Sequence, residues 1–216
     1  MDSHYFPQFL LNNGKVKAAE AAKLLPLCQK GLPSSAEYDG DRRAFRNLRV
    51  EPVREAVLKL AGENLAEEAQ LYADYMQLLM DSLVEYMSTP AIIAPEVVKR
   101  DENSPPLQTV TQPMNGDISL APGIMAADRE FLILAERMSG EELSTMDELA
   151  IDSLQEFINV VNGVFSIKMA EQGLEVELGI PGSKKLSVPQ ADKLILFRLY
   201  AAFGSFYVVL AADEFI

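Results

Sequence analysis

The amino-acid sequence predicts an α+β fold in which a largely antiparallel sheet is flanked by long helices, with an extra helical segment at the N-terminus. Three observations predict it. Two long stretches, 64–88 and 145–172, carry apolar residues at helical spacing. Short β-branched or alternating segments lie between and after them, bounded by Gly, Pro and Asp. The closing segment KLILFRLYAAFGSFYVVLAA reads as two strands around Phe203-Gly204-Ser205, a hairpin and therefore an antiparallel pair.

Taken in order, residues 5–30 read as helical, with FPQFLLNNG ending on Gly14 and KAAEAAKLLPLCQ rich in helix formers. Pro26 interrupts or ends the second piece. GLPSSAEYDGDRR, dense in Gly, Pro, Ser and Asp, reads as a loop or linker. EPVREAVLKLAGEN is a short helix with Pro52 at its start and Gly62 at its end. In the helix over 64–88, Leu65, Leu71, Met76, Leu79, Leu83 and Met87 form an apolar stripe, and Met76, Met80 and Met87 read as core filling.

AIIAPEVV is a strand candidate. LQTVTQPM is expected as an edge strand, because Pro113 cannot donate to a ladder. GDISLAPGIMAA is expected as a strand broken at Pro122-Gly123, and DREFLILAERMSGEEL as a helix from Asp128 to near Gly140. Gly173 closes the helix over 145–172, and LEVELGIP alternates as a strand. Three strands are thus expected after the long helix.

Composition excludes several chemistries. The chain has 216 residues, 49% hydrophobic and 24% charged, with a formal net charge of -13. So acidic a surface repels phosphate backbones, which argues against nucleic acid and anionic membrane as partners. The single cysteine, Cys28, permits no disulfide within the chain and points to a reducing, cytoplasmic compartment. Cys28 lies in LLPLCQK and reads as a small buried hydrophobe. The single histidine, His4, would have to serve any Ser-His-Asp or Cys-His site, which argues against both. Zinc sites of Cys and His lack material.

The residues that carry chemistry lie in TMDELAIDSLQEFINVVNGVFSIKMAEQ, residues 145–172. At about 100° per residue, Ala150, Leu154, Phe157, Ile158, Val161 and Phe165 share one arc, the face that packs on the sheet. Asp152, Glu156, Asn159 and Gly163 form a row on the opposite side, at offsets of four, three and four, with Asn162 at its border. An amphipathic helix needs a polar face, and Asp, Glu and Asn are ordinary occupants of one. Two asparagines three apart in mid-helix, and Gly163 at a cost of about 1 kcal/mol relative to Ala, are choices that helix stability alone disfavours. Glycine on an exposed stripe leaves room for another backbone to approach.

This stretch resembles the signature of the CheC/CheX/FliY chemotaxis phosphatases: Asp or Ser, three residues, Glu, two residues, Asn, then about 22 residues to a Pro. Here it reads Asp152, Glu156, Asn159 and Pro181, with 21 residues between the last two. A single signature copy is present, as in CheX. The loop from Lys99 to Gln112 is longer and more polar than in the family. The resemblance implies a CheX-like domain over 63–216, with 1–62 an appended helical segment.

It also implies a phosphatase acting on the aspartyl phosphate of a CheY-like response-regulator receiver in two-component signalling. Asn159 would orient the attacking water and Glu156 would pair with the receiver's Lys, making these two the catalytic residues. Asp152, Asn162 and Gly163 would extend the partner contact. No metal or cofactor is expected on this chain, the Mg²⁺ belonging to the receiver. A homodimer is compatible with this activity. Two other readings share the fold: a non-catalytic module that binds a receiver or motility component, and an acidic scaffold dimerising through a sheet edge.

Overall fold

The computed structural model describes residues 2–29, 31–32, 38–62, 65 and 68–216. The chain divides into two units, Met1–Val97 with Leu199–Gly204, and Val98–Arg198 with Ser205–Ile216.

The first unit is helical. Its elements are α1 (Phe6–Asn12), α2 (Ala18–Cys28), α3 (Asp39–Arg46), α4 (Pro52–Ala61), α5 (Ala69–Met87) and the short strand β1 (Ala91–Ile93). Helix α1 buries Phe6, Phe9, Leu10 and Leu11. Phe6 meets Phe45 of α3 edge to face, with ring centroids 5.3 Å apart, a favoured aromatic geometry. Pro26 neither ends nor breaks α2, which runs on to Cys28. So near the C-terminus, the missing N–H removes one bond of the last turn and nothing downstream depends on it.

The loop expected over 31–43 lies partly outside the described residues, and its end is the beginning of α3. That helix places Asp39 and Asp41 in its first turn and Arg43 and Arg46 in its last, the order its dipole favours, and buries Phe45. The start of the helix expected over 64–88 also falls largely outside the described residues. The described part, α5, buries Met76, Leu79, Leu83 and Met87 as expected but leaves Leu71 half-buried, and Tyr72 and Tyr75 widen the buried face. Helix α4 packs along it, and Arg54 of α4 pairs with Asp74 of α5.

Strand β1 pairs antiparallel with residues 199–201, Ile92 opposite Tyr200. The buried amide of Gln8 holds it on both sides of one residue: Ile93 N donates to Gln8 Oε1 at 2.7 Å and Gln8 Nε2 donates to Ile93 O at 3.3 Å.

Cys28 is fully buried, and burial pushes its thiol up to about 11. Alkylation by iodoacetamide at pH 8 is therefore expected to be slow in the native protein and fast once the chain unfolds, because the thiolate is the reactive form. Equal rates with and without denaturant would contradict the burial. The folded state holds the proton that the unfolded thiol loses near pH 9. This contribution is complete below that pH and declines as pH rises from there towards 11.

The second unit is an antiparallel sheet covered by two helices. Its elements are β2 (Leu107–Thr111), β3 (Met114–Gly116), β4 (Ala121–Ala126), α6 (Asp128–Ser139), α7 (Glu148–Ala170), β5 (Val176–Leu178), β6 (Gly182–Leu186), β7 (Ile195–Ala201) and β8 (Gly204–Ala211). In this unit the strand order is β7-β8-β4-β2-β6, with β8–β4, β4–β2 and β2–β6 all antiparallel. A separate two-stranded ladder joins β3 and β5.

Helices α6 and α7 lie side by side and pack on β2 and its neighbours. On the other face Leu107, Met125, Leu196, Tyr207 and Val209 of the strands cluster with Phe215, against which Val98, Ala191, Leu194 and Ile216 also pack. With both faces covered, every residue of β4 is buried. Gly123 belongs to this tight packing: a Cβ there would lie 2.8 Å from Val110 O and 2.6 Å from the Phe215 ring.

Three sequence expectations change here. β2 is not an edge strand. It is paired on both sides, and Pro113 stands beyond its end, where a missing N–H costs the ladder nothing. β4 runs unbroken through Pro122-Gly123, because Pro122 takes part as an acceptor, its carbonyl receiving the Thr111 hydroxyl at 2.7 Å. Four strands follow the long helix rather than three. The additional one, β6 (GSKKL), is an exposed edge strand without apolar alternation. Among the described residues, no helix is long and apolar enough to cross a membrane.

Candidate functional site

Helix α7 is fastened at its start and along its inner face. Asp147 caps it, its carboxylate accepting from Ala150 N at 3.1 Å while the Thr145 hydroxyl donates to the other oxygen at 3.1 Å. The predicted inner face is buried throughout: Ala150, Leu154, Phe157, Ile158, Val161 and Phe165 are all 0–1% exposed. A helix seated this way holds its outer side chains on a fixed backbone.

On that outer side Asp152 and Glu156 are exposed, and Asn159 and Gly163 are half-buried. A Cβ on Gly163 would meet nothing within 4 Å. The row of offsets four, three and four is therefore present and open above Gly163. Asn162 is placed differently from the partner-facing position expected for it. It is fully buried, and its side chain faces the protein interior as a hydrogen-bond donor.

What Asn162 touches is Gln112, which the sequence reading passed over. Gln112 directly follows β2 and is 2% exposed. Asn162 Nδ2 donates to Gln112 Oε1 at 3.0 Å and to the Gln112 backbone carbonyl at 3.2 Å. Gln112 Nε2 donates in turn to Asn159 Oδ1 at 2.9 Å and to Gly179 O at 2.9 Å. The four polar positions of the buried carboxamide and its carbonyl are thus engaged, as burial of an amide requires. The sequence signal was slight: one Gln between an apolar strand and a proline.

Backbone pairing brings Gly179 within reach. Through the β3–β5 ladder Met114 stands opposite Leu178 and Gly116 opposite Val176, and Gly179 N donates to Pro113 O at 2.8 Å. The approach is so close that a Cβ on Gly179 would lie 2.7 Å from the Pro113 ring. Beyond Gly179 the chain exposes Ile180, at 89%, and then reaches Pro181. The segment carrying Pro181 is in this way tied through Gln112 to the helix carrying Asp152, Glu156 and Asn159.

Chemically, the site offers an exposed carboxylate pair, Asp152 and Glu156, followed by a carboxamide. Asn159 Oδ1 uses one lone pair on Gln112 and keeps the second, and Nδ2 supplies donors. Such a group can accept from and donate to the same small molecule, water included. Among the described residues no three His, Cys, Asp or Glu side chains converge as a metal site would need.

The comparisons with known proteins bear on the same region. The family model described as chemotaxis phosphatase CheX matches residues 108–187, a span that includes Gln112, the α7 row and Pro181. No curated protein matches. Solved structures similar in fold include a chemotaxis protein CheX from Vibrio vulnificus, with TM-score 0.54 and 19% identity over 63% of this chain and 95% of that one. A CheX from Desulfovibrio desulfuricans has TM-score 0.52 and 12% identity, covering 64% and 96%. A CheX–CheY–BeF3–Mg²⁺ complex from Borrelia burgdorferi has TM-score 0.52 and 16% identity, covering 65% and 96%.

Proposed function

Since residues 108–187 carry a CheX region and the fold is that of the CheC/CheX/FliY family, we propose that this chain is a phosphatase for the aspartyl phosphate of a CheY-like response-regulator receiver. The observation that carries the proposal is the row on α7, with Glu156 exposed and Asn159 one turn further along on a rigidly seated helix. The relative from Borrelia burgdorferi, a CheX in complex with CheY, BeF3 and Mg²⁺, is the precedent for a receiver as the partner. The solved relatives cover more of this chain than its second unit spans. That supports a family domain beginning upstream of Val98, which we assign to 63–216, with 1–62 as an appended segment.

In this mechanism the receiver supplies the Mg²⁺ and the acyl phosphate, and the phosphatase supplies position. Asn159 holds a water in line with phosphorus. A carboxylate at the same place would repel the phosphoryl oxygens, whereas a carboxamide carries no charge and both donates and accepts. Glu156, exposed and one turn earlier, forms an ion pair with the receiver's lysine and sets the helix on the receiver's active site. Asp152 extends the acidic edge of that contact, and Gly163 lets the receiver's backbone come close.

The test is phosphate release from a receiver of the same organism, phosphorylated with a small phosphodonor, with and without this protein. The parent is expected to accelerate release. Glu156→Ala is expected to raise the receiver concentration for half-maximal rate about tenfold, the loss of one charge-assisted contact, with a smaller change at saturation. Should no receiver of the organism lose phosphate faster in its presence, the catalytic reading fails and a binding-only module of the same fold remains.

A further inference from the structure

We propose that Gln112 is a positioning residue for Asn159, and that Asn162 is the anchor that orients Gln112. The inference rests on the phosphatase reading of Asn159 and adds two residues outside the exposed row. A free asparagine on a helix surface rotates its amide about the last side-chain bond, and either end can face a partner. Here the choice is made from inside.

Asn162 meets the Gln112 backbone carbonyl at 3.2 Å, which only its Nδ2 can do, so the side-chain atom that Nδ2 also bonds at 3.0 Å must be the Gln112 oxygen. With Oε1 turned to Asn162, Gln112 Nε2 faces Asn159 and Gly179. Gly179 offers a carbonyl, which only a donor can meet, and this fixes the same orientation independently. Asn159 must then turn Oδ1 inward, 2.9 Å from Gln112 Nε2, leaving Nδ2 as the end that Gln112 does not engage.

The location of these groups argues for this role. Gln112 is 2% exposed and Asn162 is 0% exposed. Burying two carboxamides brings little stability over apolar side chains of similar size, even when every group is bonded. Their arrangement does, however, specify one rotamer of the half-buried residue above them, which a leucine pair could not. Gln112 also joins the Pro113–Gly179 segment to Asn159, so the loop bearing Ile180 and Pro181 and the water-holding amide keep one spacing.

The experiment compares the parent with Gln112→Glu and Gln112→Leu, each also made in an Asn159→Ala background. Gln112→Glu preserves size and the acceptor for Asn162 but has no N–H for Asn159; Gln112→Leu removes both. The rate of phosphate release at saturating receiver is expected to fall about tenfold in both single variants, a misplacement effect, with the half-saturating receiver concentration unchanged within about twofold. In the Asn159→Ala background neither substitution should lower the rate further. The side-chain amide resonances of Asn159 should shift in both single variants.

A loss of the same size in both backgrounds, or unshifted Asn159 amide signals with parental rates, overturns the inference while the phosphatase reading stands. No acceleration by the parent overturns the phosphatase reading, and this inference with it. Melting temperatures of the variants exclude a loss caused by unfolding.

Discussion

Asn159→Ala is expected to slow phosphate release about a hundredfold at saturating receiver, comparable to removing one preorganised donor from an active site elsewhere. Asn159 sits on a helix whose inner face is buried without gaps in the pattern from Ala150 to Phe165. Deleting its carboxamide therefore removes the positioning group and moves little else. Gln112 Nε2 would lose one of its two acceptors and keep Gly179 O, so stability should fall by only about 1 kcal/mol. Docking through Glu156 should survive, separating this variant from Glu156→Ala in the way rate and half-saturation respond. Single-turnover release with the phosphatase in excess is the measurement. A rate within twofold of the parent would remove Asn159 from the mechanism.

Phe157→Ala is expected to cost about 3–5 kcal/mol of stability, the range for deleting a fully buried aromatic ring. Phe157 is 0% exposed and adjoins Glu156 in sequence. Its ring is part of what seats α7 against the sheet, so the loss combines transfer of apolar area with the cavity left behind. Urea unfolding should show the midpoint displaced and the slope retained. A displacement worth less than about 1 kcal/mol would mean that the inner face of α7 is not packed as described.

The two predictions depend on opposite sides of one helix, and those sides were legible in the sequence to different depths. The inner face could be read directly. A 3.6-residue period of large apolar residues has few alternatives to burial, and Ala150, Leu154, Phe157, Ile158, Val161 and Phe165 are all buried. The outer row of Asp152, Glu156, Asn159 and Gly163 could be read for the same geometric reason. The place of Asn162 could not, because an amide looks the same in sequence whether it faces water or another amide. Its partner Gln112 is 50 residues away, a separation to which local periodicity is blind.

The strands follow the same logic. The hairpin of β7 and β8 was announced by a nearly continuous apolar run interrupted at Phe203-Gly204-Ser205. β6 escaped because an edge strand needs no apolar face, and Gly182–Leu186 has little of one. β2 was misread as an edge from Pro113, yet a proline one residue or more outside a ladder places no restriction on it. Helix α3 was hidden by Asp and Gly, which mark turns and helix starts equally well. The first unit was legible as helical segments but not as a packed assembly, since its buried clusters join residues distant in sequence, Leu11 with Leu25 and Ile92 among them.

The polar edge strand also bears on self-association. β6 ends the sheet of its unit, and two lysines, Lys184 and Lys185, stand exposed along it. Lys185 is paired with Asp128 at 3.0 Å, a bond formed within the unit. A second copy adding its own β6 about a twofold axis would bring lysine against lysine and draw Lys185 away from Asp128, an arrangement that electrostatic repulsion opposes. In a chain with a net charge of -13, this edge carries two adjacent lysines. The strand that reads least like a strand in the sequence thus sets like charge against any copy of itself along this edge.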